Sequence, residues 1–159
     1  MKIFEDKWGI ILGGSSGLGL ATAKKFAQHG MNLIILHRDR RSDIDEIETE
    51  FDKLREKGIQ VLSFNVDAVN KTKIKSVIGS FKTDINGNKI KVLIHSIAKG
   101  NLKPISYQNE GLRADDLQLT IDSMGISLYK WVINLLENSM FEDDARIISF
   151  TSEGSYKAH

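Results

Sequence analysis

Five short apolar runs punctuate the chain, at 8–12, 33–36, 61–64, 92–94 and 147–150. Each is of strand length and too continuously apolar for a strand with one face in water, so they predict buried parallel strands. Between them the apolar positions switch to helical spacing. Ile44, Ile47, Phe51 and Leu54 recur at i, i+3, i+7 and i+10, and Ile74, Val77, Ile78 and Phe81 at i, i+3, i+4 and i+7. Ser42 and Asn70 suit the N-caps of these two helices, and Lys57-Gly58 suits a stop for the first. After the first run, Leu20, Ala23 and Ala27 share one helical face while Lys24, Lys25 and Gln28 can be solvated. A longer pattern over about 115–137 sets Leu117, Ile121, Met124, Leu128, Trp131 and Leu135 along one stripe that should face the core, with Asp115 or Asp116 near its start.

This alternation predicts an α/β fold: an open, doubly wound parallel sheet of five strands with right-handed crossovers, helices on both faces and ligand-binding loops at the carboxyl ends of the strands. No internal repeat, low-complexity segment or linker interrupts it, so residues 1–159 read as one domain. The segment "KTDINGNKIK" is a polar connection with an Asn86-Gly87 turn signal, and "AKGNLKPISYQNEGLRADD" is a long loop holding the single proline.

Composition narrows the function classes. A hydrophobic content of 41% in 159 residues supports one sizeable core, and 27% charged residues suit an ordinary solvated surface. With 22 Lys and Arg against 21 Asp and Glu there is no basic field for nucleic acid and no acidic tail. The absence of cysteine removes disulfides, thiolate catalysis and Cys-based metal sites, and we expect no metal ligand set. The start, "MKIFEDKWGIIL", has acidic residues and no apolar run of signal-peptide or membrane length. A soluble cytoplasmic protein without membrane or nucleic-acid partners is the expectation.

The candidate chemistry begins in "ILGGSSGLGLATAKKF", between the first predicted strand and a helix. Gly13 would let the chain turn sharply off the strand, Gly17 would admit a pyrophosphate, and Gly19 would let helix pack closely on sheet. The helix N-terminus then offers unpaired N–H groups and a positive dipole end to phosphate. The spacing is Gly-x-x-x-Gly-x-Gly, unlike the Gly-x-Gly-x-x-Gly of the commoner Rossmann fingerprint. It resembles the loop of the short-chain dehydrogenase/reductase family, with Leu12 where that family usually has threonine. The resemblance runs from about Lys7 to Ser152, and implies a Rossmann-like fold with Gly13, Ser15, Ser16, Gly17, Leu18 and Gly19 around a nicotinamide dinucleotide.

The second strand should end near "LIILHRDRR", where a carboxylate would bond the ribose 2′-hydroxyl of NAD and repel the extra phosphate of NADP. His37 stands there instead, followed by Arg38, and Arg40 and Arg41 lie close by. A guanidinium matches a 2′-phosphate by bidentate pairing, so NADP(H) is the expected cofactor and NAD(H) the alternative. Pairing of these arginines with Asp39 and Asp43 in a solvated loop is the structural reading. In "FNVDA", Asn65 stands where the family carries an aspartate beside the adenine, Val66 is retained, and Asp67 is a second candidate that would otherwise start a turn.

The fourth strand ends in "LIHSIAKG", where most of the family has Asn-Asn-Ala-Gly. His95, Ser96, Ile97 and Ala98 resemble, residue by residue, the His-Ser-Ile/Leu-Ala/Gly sequence of enoyl-thioester reductases of fatty-acid synthesis. That likeness implies that the backbone of Ser96, Ile97 and Ala98 borders the cofactor ribose and nicotinamide. By itself, His95 reads more readily as a structural hydrogen bonder. Met124 occupies the place of the asparagine that supports a proton relay in many family members, which weakens a carbonyl-reducing relay and touches the enoyl branch less.

In "RIISFTSEGS", Ser152 aligns with the serine that orients a substrate carbonyl, and Thr151 is its register alternative. The family's catalytic tyrosine is followed four residues later by a lysine, one helical turn away, which lowers the tyrosine pKa. Tyr156 is followed at once by Lys157, and neither Tyr107 nor Tyr129 has a lysine four positions on, so Tyr-x-x-x-Lys is absent from these 159 residues. The chain therefore reads as the incomplete N-terminal portion of an enzyme, inactive alone, with "IISF" as an edge strand prone to pair with another chain. The expected function is NAD(P)H-dependent reduction of a small-molecule or acyl-thioester substrate, an enoyl thioester or a carbonyl, by a protein that resembles a family often dimeric or tetrameric. The alternative is a non-catalytic dinucleotide-binding module that senses cofactor or docks a partner, and a third reading is an α/β domain for another phosphate ligand.

Overall fold

In the computed structural model, which describes residues 2–106 and 111–151, the first apolar run forms β1 (Trp8–Leu12), buried at every residue. There follow α1 (Gly17–Gln28), β2 (Asn32–His37), α2 (Ile44–Arg55), β3 (Val61–Asn65), α3 (Lys71–Asp84) and β4 (Ile90–His95). Then α4 (Ala114–Ile121) and α5 (Ser127–Glu137), joined by a π turn at Asp122–Ile126, lead into β5 (Phe141–Ser149). All neighbouring strands pair parallel, in the order β3-β2-β1-β4-β5. This is the doubly wound, Rossmann-like α/β sheet that the alternation predicts.

Because side chains alternate across a strand, the central strands feed two cores at once. Ile10, Leu12, Ile34, Leu36 and Leu93 pack on one face with Val77, Ile78 and Phe81 of α3 and Trp131 and Leu135 of α5. Ile11, Leu33, Ile35, Val92 and Ile94 pack on the other with Ala23 and Ala27 of α1 and Phe51 and Leu54 of α2. The expected helical faces of α2 and α3 are the buried ones: Ile47, Phe51 and Leu54 in the first, and Ile74, Val77, Ile78 and Phe81 in the second. Asn70 caps α3 through its side-chain oxygen, which accepts from the backbone N–H groups of Thr72 and Lys73. Ser42 instead lies in a 3-10 turn at Arg41–Asp43, and Asp43 holds the N-cap position of α2.

Two expectations change. β5 starts at Phe141, in a stretch too acidic to read as a strand, because lysines across the sheet neutralise it. Lys7 Nζ lies 3.0 Å from a Glu142 carboxylate oxygen, and Lys91 Nζ lies 2.5 Å from Asp144 Oδ2. The pairing of β4 with β5 jumps from Ile90↔Phe141 to Val92↔Arg146, so the acidic residues are taken up in a bulge.

The long helix also differs from its predicted single stripe. Trp131 and Leu135 are fully buried, but Leu117, Ile121 and Met124 are 50%, 55% and 44% exposed. The row turned inward is Ser123, Ser127, Trp131 and Leu135, spaced by four, and its N-terminal half is polar because it meets the end of β4 and the following loop rather than the core. Asp116 and Thr120 continue that polar side, Asp116 bonding Asn101 and Lys103.

Trp131 ties α5 to the turn after β3, its indole N–H donating to the buried carbonyl of Ala68 at 2.9 Å. Trp131→Phe removes the donor and opens space in a close-packed site, so we expect a loss of about 2–4 kcal/mol in unfolding free energy. Urea titration measures it, and a loss below about 1 kcal/mol would mean that the site collapses around the smaller ring.

Candidate functional site

At the carboxyl ends of the strands, the sheet's order reverses across β1: the chain runs outward through β2 and β3, then returns to β4 on the other side. A cleft of about 850 Å³ opens there. Gly13 makes the turn off β1 at φ +83°, and a Cβ on it would stand 2.4 Å from the Ser96 carbonyl oxygen. Gly19 is packed as tightly, since its Cβ would fall 2.0 Å from the Gly13 oxygen. Gly17 differs. It adopts φ +51° with open space where a Cβ would be, and it lines the cleft with Gly13, Ser15, Ser16 and Leu18. Gly19 is buried beneath them. Ser16, the N-cap of α1, makes no side-chain capping bond, so the first N–H groups of that helix have no side-chain partner at the cleft. An uncapped N-terminus behind an open glycine fits a pyrophosphate.

At one end of the cleft, β2 delivers His37 and Arg38. His37 is 4% exposed, lies edge-on to Phe51 with ring centroids 5.5 Å apart, and shares a 2.8 Å hydrogen bond between Nδ1 and Asp39 Oδ2. Its Nε2 is buried without a hydrogen-bond partner. Arg38 is exposed at the cleft, and its Nη1 donates to Asp67 Oδ2 at 2.8 Å. Val66 and Asp67 line the cleft with them. Asn65 is engaged beside it: Oδ1 accepts from the Asp39 backbone N–H at 3.1 Å and Nδ2 donates to the Asp39 carbonyl at 3.2 Å. It fixes the loop after β2 and is not among the cleft-lining residues.

At the other end, β4 delivers His95 and the segment Ser96, Ile97, Ala98 and Lys99, all on the cleft wall. Ser96 N–H donates to the Leu12 carbonyl at 2.8 Å, which carries the β1–β4 ladder one step past β4. His95 is 2% exposed and its Nε2 lies 2.7 Å from Ser127 Oγ. The Ser127 hydroxyl gives its hydrogen to the Ser123 carbonyl at 2.7 Å, so its oxygen accepts from His95 Nε2–H. Burial holds the His95 imidazole below its ordinary pKa, which favours this neutral form. Met124, on the π turn, is 44% exposed and lines the cleft rather than the core. Ser149, Phe150 and Thr151 complete this wall. Ser152, Tyr107, Tyr156 and Lys157 lie outside the described residues.

Ser127 and Lys99 were missed by the sequence reading. The spacing of Ser123, Ser127, Trp131 and Leu135 by four is the signal that could have found Ser127, because it places a hydroxyl on the same side of the helix as two core residues. Lys99 gives no such sign, and only the loop path brings it to the cleft.

The KR domain sequence model matches residues 8–111. That is more than half of the chain, which therefore belongs to this family of the short-chain dehydrogenase/reductases. An uncharacterised oxidoreductase of Thermotoga maritima is 28% identical over 103 residues, 65% of this chain and 38% of that protein. A very-long-chain 3-oxoacyl-CoA reductase of Mus musculus is 24% identical over 119 residues, 74% of this chain and 34% of that protein. The chain thus spans little more than a third of these relatives. Among solved structures, a 7α-hydroxysteroid dehydrogenase complexed with NADH superposes with TM-score 0.81 at 16% identity, over 98% of this chain and 57% of that one. A short-chain dehydrogenase from Burkholderia cenocepacia in complex with NADP does so at 0.74 and 16% identity, over 92% and 55%. These likenesses establish the fold, and the two complexes span both forms of the nicotinamide cofactor.

His95 yields a pH prediction. Its folded-state pKa lies below the unfolded value, so the unfolded chain takes up the proton first as pH falls. The stability tied to neutral His95 is complete above the ordinary histidine value and declines below it. Urea midpoints at about pH 7.5 and about pH 5.5 should differ more for the wild type than for His95→Gln, which keeps a donor towards Ser127. Equal losses would mean that folded His95 protonates freely.

Proposed function

We propose that the cleft binds a nicotinamide dinucleotide, NADP(H) in preference to NAD(H), and that the whole protein is a reductase of an acyl thioester. The observation that carries this reading is the open Gly17 beside the uncapped N-terminus of α1, at the crevice where the strand order reverses. Gly13, Ser15, Ser16, Gly17 and Leu18 would hold the pyrophosphate, with Gly19 permitting the close packing beneath. Arg38 would meet a 2′-phosphate, with His37, Asn65 and Val66 shaping the adenosine end. The backbone of Ser96, Ile97 and Ala98 would border the nicotinamide ribose. When bound, the cofactor supplies a hydride.

The chain's own residues would orient what receives it. Ser152 would hydrogen-bond a substrate carbonyl, and Met124 and Phe150 would exclude water from that end. His95, held neutral and donating to Ser127, would keep the β4 end fixed rather than pass a proton. The sequence His95-Ser96-Ile97-Ala98 supports enoyl reduction, whereas relatives named 3-oxoacyl-CoA reductases support carbonyl reduction. Both act on an acyl thioester. A homo-oligomer remains part of the proposal, by family resemblance.

Gly17→Asp tests the cradle. Asp tolerates the left-handed backbone better than most residues, a Cβ there meets nothing within 4 Å, and its charge would oppose the pyrophosphate. We expect NADPH affinity, followed by nicotinamide fluorescence, to fall by about tenfold or more with the thermal midpoint little changed. Unchanged affinity would sink the assignment. For the chemistry, NADPH oxidation by the full-length protein with crotonyl and acetoacetyl thioesters separates enoyl from carbonyl reduction, and binding without turnover of any substrate would favour a non-catalytic module.

A further inference from the structure

Arg38 and Asp67 come from the ends of adjacent strands and both line the cleft. They meet at 2.8 Å with side chains 61% and 37% exposed, so the pair stands in water at the cleft's edge. The two partners differ in freedom. Asp67 Oδ1 accepts from the Val69 backbone N–H at 3.0 Å, which fixes the carboxylate on the turn after β3. Asp39, the nearby alternative, is directed elsewhere: its carboxylate bonds buried His37 and its backbone is held by Asn65.

We propose that Asp67 is a specificity-determining residue whose carboxylate competes with the 2′-phosphate of NADP(H) for the Arg38 guanidinium. This rests on the reading of the cleft as one that prefers NADP(H). To pair with a phosphate, Arg38 must leave Asp67, and the carboxylate, still held by the Val69 N–H but without its counter-charge from Arg38, then stands near the incoming phosphate. NAD(H) carries a hydroxyl there and requires no exchange. Asp67 thus narrows the preference that Arg38 creates.

The test is a double-mutant cycle on cofactor binding. Asp67→Asn keeps an oxygen for the Val69 N–H and removes the charge, and a thermal midpoint near that of the wild type confirms that the turn survives. Kd values for NADPH and NADH are measured by nicotinamide fluorescence for the wild type, Asp67→Asn, Arg38→Ala and the double variant. We expect Asp67→Asn to tighten NADPH binding about three- to tenfold and to change NADH by less than about twofold, with the gain shrinking as salt rises from about 0.05 to about 0.5 M. In the Arg38→Ala background the gain should fall below about twofold. If Arg38→Ala weakens NADPH but Asp67→Asn leaves it unchanged, the role of Asp67 is overturned while the NADP reading stands. If Arg38→Ala has no effect on NADPH, the NADP reading falls, and this proposal with it.

Discussion

The cleft depends on the stack of three backbones at the end of β1. Gly13 turns against the Ser96 carbonyl, and Gly19 sits on the Gly13 carbonyl with no room for a Cβ at either place. This stack joins the exit of β1, the first turn of α1 and the exit of β4 without any side chain between them. The strand order reverses at the same point, so the crevice opens beside this stack, lined by Gly13 and Ser96 among others. Gly17 and the Ser96 to Ala98 segment reach the cleft because that stack holds them in place.

From the stack outward, the cleft's two ends differ in how they handle polar groups. At the His37 end, the Arg38–Asp67 pair stands in water, while Asp39 joins buried His37 to Asn65. An exposed pair such as Arg38 with Asp67 is weak and exchangeable. At the other end His95, Ser127 and Ser123 are buried, and their hydrogen bonds run in one direction, from imidazole to Ser127 to the Ser123 carbonyl. Such a chain is costly to break. The wide turn at Asp122–Ile126 lies there, consistent with the tendency of π turns to occur at functional sites.

The architecture was legible where the chemistry was uniform. Continuous apolar runs gave the strands, because parallel strands covered on both faces leave no polar alternation to misread. The periodic faces of α2 and α3 lay where Phe51 and Phe81 indicated. Legibility failed where an element serves two environments. Phe141–Ser149 is a strand whose acidic first half is stabilised by Lys7 and Lys91, residues far away in sequence. The helix after the long loop carries a polar row towards β4 and a hydrophobic row outward, so Leu117, Ile121 and Met124 mimic a core face. In the cleft, the glycines and the two strand ends could be read from local spacing. The engagement of Asn65 with Asp39 could not, since both partners depend on how two loops meet.

The sheet's two cores also differ optically. Trp8 and Trp131, the chain's two tryptophans, are both fully buried and both belong to the layer under α3 and α5. The layer under α1 and α2 has phenylalanine and aliphatic residues but no tryptophan. Intrinsic tryptophan emission therefore watches one side of the sheet only. A loosening confined to α1 and α2, behind the glycine turn, would pass unseen in that signal while amide exchange in those helices recorded it.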